Sequence, residues 1–226
     1  MKRFKIFFLV IFLLSLTTSM VFAENQTWAD RNFNFSGIQN VYMEEPTYSD
    51  DIDEEITQRL LCDAFYDGSS KVKNGNFFTA RDIKSKLLRY KLVDLDAITD
   101  ESERDQVWQD AIKEFSDVWI KETIQEYWID KVWKDPYYYT TTEYRDYSYW
   151  VDGKKYEVKV PETVEHYVEG KYLYIAHIRV KFEVFTTADN TLIYSYVDYR
   201  EAEKDLIDMY KRIVKDFYAG FGKKIK

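Results

Sequence analysis

Hydrophobic and polar positions recur with two different periods along this chain, and the change of period organises it. Phe33, Phe35, Ile38, Val41 and Tyr42, broken by Gly37, predict a first strand near 38–44 that ends before Pro46. Ile52, Ile56, Leu60 and Ala64 then recur every fourth residue. Ser49 or Asp50 stands where an N-cap is wanted, and Gly68 where the helix should end, which predicts a helix near 51–66. A short strand is expected over Asn76–Thr79. Thr79-Ala80-Arg81-Asp82 resembles a capping box ahead of Ile83, Leu87 and Leu88, predicting a second helix near 80–91. Asp100-Glu101-Ser102-Glu103 opens a third in the same way, with Val107, Ala111 and Phe115 on one face.

Residues 117–134 carry both signals. Ile120, Ile124 and Trp128 fit a helix, but joining them to the third helix would make an uncommonly long element. Trp119, Thr123, Tyr127, Ile129, Val132 and Trp133 are β-branched or aromatic, and the balance favours a strand. From Pro136 onward the period is two. Tyr156, Val158, Val160, Val164 and Val168 alternate with Lys155, Glu157, Lys159, Thr163 and Glu165, with Pro161 suited to an edge or a bulge. Asp152-Gly153 and Glu169-Gly170 are hairpin-turn signals. Tyr172, Tyr174, Ala176, Ile178, Val180, Phe182 and Val184 form one apolar face of a long strand, which Asp189-Asn190 turns into a partner over Leu192–Tyr199. Leu206, Tyr210, Ile213 and Phe217 close the chain as a helix near 202–218. The order predicts an α+β fold: a single two-layer domain with a mixed, mainly antiparallel sheet, helices on one face, and an aromatic-rich β-hairpin excursion over 135–170.

The amino terminus has neither period. MKRFK carries three positive charges and is followed by an apolar run to Val21-Phe22-Ala23, the pattern of a secretory signal peptide cut before Glu24. No Cys follows that run to accept a lipid. The expectation is a secreted or periplasmic protein, residues 24–226, with no stable membrane insertion after cleavage. Net charge is −8 from 32 basic and 40 acidic residues. Losing Lys2, Arg3 and Lys5 leaves 29 basic residues and a charge of −11. Without a Lys/Arg cluster, nucleic acid is not an expected partner. The terminal Lys223-Lys224-Ile225-Lys226 reads as a complement to a helix C-terminus.

One Cys and two His exclude a disulfide framework and a Cys/His zinc cluster. Cys62 is either a buried thiol or an intermolecular disulfide, and its pairing with His177 as a nucleophile would need tertiary proximity. His166 and His177 read as structural rather than as general bases. Asn25-Gln26-Thr27 and Asn34-Phe35-Ser36 match the glycosylation sequon. The acids of Asp50–Glu55 suit a helix start better than a calcium loop. No phosphate-loop, dinucleotide or hydrolase-elbow motif occurs, so no cofactor, no metal and no catalytic residue are assigned.

What exceeds background is the aromatic content. Ten of the 20 Tyr fall between Tyr137 and Tyr174. On a strand Tyr137, Tyr139, Tyr147 and Tyr149 share one face, and Tyr138, Tyr144 and Trp150 the other. Two aromatic faces are hard to bury in a two-layer domain, so Tyr138, Tyr144, Tyr147, Tyr149 and Trp150 are the candidate binding residues. Packing across the hairpin is the plainer alternative. A glycoside hydrolase would draw on Glu143 and Asp146.

The stretches Val41–Pro46 with the helix after them, Gly75-Asn76-Phe77-Phe78 leading into Asp82-Ile83, and Ile175–Arg200 with the closing helix resemble a group of small bacterial envelope domains. These are the periplasmic domain of the curli-secretion channel protein, the lipoprotein activators of penicillin-binding proteins, and the amino-terminal domain of the Tol translocation protein. In them the last part is a hairpin whose turn holds an acid and a small residue, as Asp189-Asn190 does. Two departures are the missing lipid-acceptor Cys and the aromatic segment. The resemblance implies a non-enzymatic binding or assembly role with an envelope protein as partner. A carbohydrate-binding module using the same Tyr/Trp surface is the alternative.

Overall fold

A computed structural model of the chain describes residues 22–225. The cleavage segment expected over 1–23 lies outside the described residues up to position 21. The described chain forms two compact units, one of residues 22–129 with 175–225, the other of residues 130–174.

The first unit is a mixed sheet with helices, an α+β fold. Its strands are β1 (Phe22–Ala29), β2 (Asn40–Met43), β3 (Thr47–Tyr48), β4 (Asn76–Phe78), β5 (Val118–Lys134), β8 (Lys171–Thr186) and β9 (Leu192–Ala202). They lie in the order β1-β9-β8-β5-β2-β4, with β3 on β5. The β2, β3 and β4 pairings are parallel, and β9 runs antiparallel to both β1 and β8. The ends of β5 and β8, from Asp130 and up to Tyr174, belong to the second unit.

Alternation along the strands decides which helix each face meets. Val41, Met43, Val118, Ile120, Ile124, Ile178, Val180 and Phe182 all point into one large core with helices α1 (Glu55–Ser69) and α4 (Leu206–Gly222). Phe217 of α4 stacks on Phe182 with ring centroids 4.2 Å apart. Gly68 lets α1 lie against α4: a Cβ there would sit 2.5 Å from Val214 Cγ1. The intervening positions Tyr42, Phe78 and Trp119 face a second, smaller cluster with Ile83, Leu87, Ala111 and Ile112. These last come from α2 (Ala80–Lys86), the π-helical turn Leu87–Lys91 that follows it, and α3 (Glu101–Phe115). The helical layer expected on one face is thus α1 with α4, while α2, the π-helical turn and α3 cover part of the other.

Local signals place most element ends. The Thr79 amide and hydroxyl both donate to Asp82 Oδ2 at 2.8 Å, and Asp100 Oδ1 accepts from the Glu103 amide at 2.8 Å. Asp205 caps α4 in the same way. Three expectations need correction. Residues 22–29 form an edge strand where none was expected. The helix expected from 51 starts at Glu55, with Glu54 rather than Ser49 or Asp50 at its cap. Its buried stripe is Leu61, Phe65 and Gly68, while Ile56 and Leu60 face out.

The second unit is a two-stranded antiparallel ribbon, β6 (Tyr137–Val151) and β7 (Lys154–Val168), with the ends of β5 and β8 at its base. Asp152 and Gly153 both have positive φ, 48° and 76°, as a two-residue hairpin turn requires. Fifteen residues per strand make β6 about 50 Å long at about 3.3 Å each. Trp133 meets Tyr172 edge-on at 4.9 Å, and Lys131 lies 4.2 Å over the Tyr172 ring.

Candidate functional site

The ribbon's register sorts its side chains. Tyr147 lies opposite Val158, Tyr149 opposite Tyr156, and Arg145 opposite Val160. Tyr137, Tyr139, Tyr147, Tyr149 and Val151 therefore share a face with Tyr156, Val158, Val160, Val164 and Val168. The other face carries Tyr138, Tyr144 and Trp150 among Thr140, Thr142, Asp146, Ser148, Lys155, Glu157 and Lys159. One face is mainly apolar and the other mainly polar with four aromatic posts, the fourth being Tyr167 opposite Tyr138.

The five candidate residues divide accordingly. Tyr147 and Tyr149 stand together on the apolar face, at 52% and 50% exposure. Tyr138, Tyr144 and Trp150 stand on the polar face, at 66%, 66% and 68%. They are not one patch. Tyr144 and Trp150 have no ring neighbour among the described contacts, whereas Tyr138 packs on Tyr167 at 4.9 Å and Tyr149 lies nearly parallel to Tyr156 at 5.7 Å and 17°. Cross-strand packing accounts for part of the aromatic content and leaves the five candidate rings at least half exposed. Pro161, opposite Tyr144, sits in a strand with an open edge, where a missing N–H disturbs no ladder.

Glu143 and Asp146 lie on opposite faces of the same strand, so they cannot flank one bond from the two sides of a cleft. Glu143 instead sits 4.0 Å from His166 Nε2, which bonds the Thr141 hydroxyl at 2.7 Å and stacks on Tyr139. Arg145 pairs with Glu162 across the strands.

In the first unit His177 occupies the alternate face of β8 from the α1–α4 core. It stacks on Trp128 at 3.9 Å and 7°, and its Nδ1 is 3.0 Å from the Tyr199 hydroxyl. Beside it Arg179 donates to Glu126 at 2.8 Å and covers the Tyr199 ring. Cys62 is on α1, on the other side of the sheet, so the Cys62–His177 pairing has no geometry. Burial pushes its thiol up, against a hydrogen bond with Tyr66 that pulls it down, which makes it a poor nucleophile. Asn25 donates to the Tyr196 hydroxyl from β1, and Glu54 accepts from the Thr57 hydroxyl. No group of three His, Cys, Asp or Glu among the described residues is placed to hold a metal ion.

One chemically unusual residue escaped the sequence reading. Glu122 shares its face of β5 with Val118, Ile120 and Ile124 and is fully buried. The Tyr210 hydroxyl donates to its Oε1 at 2.7 Å, and Oε2 has no hydrogen-bond partner. Burial raises its carboxyl to about 8, the hydrogen bond from Tyr210 opposing, so the group is protonated at neutral pH. Its position in the alternation is the signal that could have found it. Asp198, also buried, is by contrast met by the Arg200 guanidinium at 2.7 Å and by the Tyr196 hydroxyl.

No family model matches the chain, and no curated protein does. Solved structures similar to it include the PelC dodecamer from Paraburkholderia phytofirmans, at 9% identity and a TM-score of 0.43 over 86% of this chain and 94% of that one. Lipoprotein GNA1162 from Neisseria meningitidis is similar at 10% identity and 0.36, over 80% and 99%. A DUF4136 family protein from Bacteroides thetaiotaomicron is similar at 10% and 0.37, over 88% and 96%. Likenesses this distant carry nothing about what the chain binds. Among the described residues no helix is long and apolar enough to cross a membrane.

Proposed function

We propose that the chain is an exported, non-catalytic binding or assembly protein of the bacterial cell envelope, and that it contacts a protein partner through the β6–β7 ribbon. One observation carries the reading: a two-stranded ribbon of about 50 Å leaves both long edges unpaired among the described residues while exposing Tyr and Trp on both faces. Two strands alone are marginal in water, and open edges with aromatic rings are what a partner strand or surface covers. The test is to replace Tyr137–Val168 by a two-residue turn and compare partner retention with the intact chain, both folded by circular dichroism. Loss of a defined envelope protein from the shortened form supports the proposal; equal retention overturns it.

A carbohydrate-binding role is the second reading, favoured by the stacked Tyr149 and Tyr156 rings, each about half exposed. Glycan titration should then quench aromatic fluorescence, and Tyr149→Ala should abolish the change.

A further inference from the structure

The first unit holds a cavity of about 330 Å³ between the end of α1, the segment after it, and the last turns of α4. Its lining includes Lys71, Lys73, Lys215 and Lys223 and no acidic residue. None of the four ammonium groups has a carboxylate within 4 Å among the described residues. The chain as a whole is acidic, at −8, so this concentration of unpaired positive charge runs against its surroundings.

The plain explanation is charge complementation of two helix ends, since α1 finishes at Ser69 and α4 at Gly222. Each end offers about half a negative charge. Four full charges exceed that about fourfold, which leaves about three unanswered. The floor is of different character. Val72, Tyr218 and Ala219 supply apolar surface, with Tyr218 itself buried. Gly222 makes the enclosure close: a Cβ there would lie 3.0 Å from Val72 Cγ1, so the chain after α1 is packed onto the end of α4. A volume of 330 Å³ is at the low end of the ~300–1,000 Å³ of small-ligand sites and larger than a bare anion needs.

We propose that this cavity binds a phosphate-bearing ligand, its phosphate held among Lys71, Lys73, Lys215 and Lys223 and an adjoining apolar group on Val72 and Ala219. Lysines act as movable point charges on flexible four-carbon stems, which suits a compact multivalent anion better than a planar carboxylate. The proposal stands apart from the ribbon and uses none of its residues.

The test titrates the purified protein with phenyl phosphate, with inorganic phosphate, and with phosphatidylglycerol vesicles against phosphatidylcholine vesicles. Phenyl phosphate should bind, and the combined Lys71→Gln, Lys73→Gln, Lys215→Gln, Lys223→Gln variant should weaken it about tenfold or more, because charge-assisted contacts are lost. Lys154→Gln with Lys155→Gln, on the ribbon, should leave binding unchanged. Ala219→Phe fills the floor, and should weaken phenyl phosphate while sparing inorganic phosphate. Retention on phosphatidylglycerol vesicles, lost in the four-lysine variant, identifies a lipid headgroup as the source; phosphate competition without vesicle retention identifies a free phosphate compound. Equal melting midpoints for the variants confirm folding. The proposal is overturned if phenyl phosphate does not bind, or binds the four-lysine variant as well as the original chain.

Discussion

Strand β8 passes through two environments that its sequence pattern does not distinguish. Ala176, Ile178, Val180, Phe182 and Val184 are buried, while Tyr172 and Tyr174, at the same spacing on the same strand, are 53% and 57% exposed. The first group lies under α1 and α4, and the second belongs to the ribbon unit, which has no helix. Period two reports which residues share a face. It does not report whether anything covers that face, and cover is what converts apolar area into stability, at roughly 25 cal/mol for each Å² removed from water.

The comparison breaks hardest at single rings. Phe217→Ala removes a fully buried ring that stacks on Phe182 and touches Tyr194 and Tyr196, so unfolding should lose about 3–5 kcal/mol. Tyr147→Ala in the ribbon removes a half-exposed ring and should cost about 1 kcal/mol or less. Urea denaturation of the two variants measures both. Similar losses would mean that the ribbon's apolar face is covered in solution.

Acid–base behaviour sharpens the same contrast, because among the described residues Glu122 is a carboxyl group buried without a cation. Its folded-state value, about 8, lies above the ordinary 4.5, so the native state holds a proton that the unfolded chain gives up. Stability from this group is therefore complete below pH ~4.5 and falls as pH rises toward 8. Glu122→Gln keeps an acceptor for Tyr210 and carries no charge. The variant should lose the alkaline decline and, above pH 8, unfold at higher urea than the original chain, by a few kcal/mol. Parallel pH profiles for the two proteins would place the carboxylate in a solvated site instead.

Much of this architecture was legible because its signals are local. The Thr79–Asp82 box, the Asp100 cap, the Asp152-Gly153 turn and the β-branched run of β5 need no partner to be read. What failed depended on neighbours. β1 is an edge strand whose Glu24, Asn25, Gln26 and Thr27 are polar, and its existence rests on pairing with β9. On α1 the series Ile56, Leu60 and the series Leu61, Phe65 both have a spacing of four, and only packing on α4 selects the second. The site divides in the same way. The two faces of β6 followed from parity, whereas the gathering of Lys71 and Lys73 with Lys215 and Lys223 is created by the α1–α4 contact and has no trace in the linear pattern.

That contact is itself open to test at Gly68. Alanine favours a helix interior by about 1 kcal/mol over glycine, yet its methyl would meet Val214 Cγ1 at 2.5 Å and the Tyr218 ring at 2.8 Å. Overpacking of this kind costs about 1–3 kcal/mol and should win. Gly68→Ala is expected to be net destabilising in urea, and a stabilised variant would mean that α1 and α4 are less closely packed.

The smallest effect distinguishes how the ribbon coheres when nothing covers it. Tyr149 and Tyr156 face each other across the strands with rings 5.7 Å apart. A double-mutant cycle on Tyr149→Ala and Tyr156→Ala should give a coupling of roughly 0.2–1 kcal/mol, the range of aromatic cross-strand pairs. Global unfolding is a poor readout for so local a term, since the ribbon opens below the free energy of the helix-covered sheet. Amide exchange of Tyr147–Val158 reads it directly. These amides should exchange faster than those of Ile178–Val184, and faster again in either single variant. Protection equal to that of the covered half of β8 would require a partner already seated on the ribbon, and dilution would then release it.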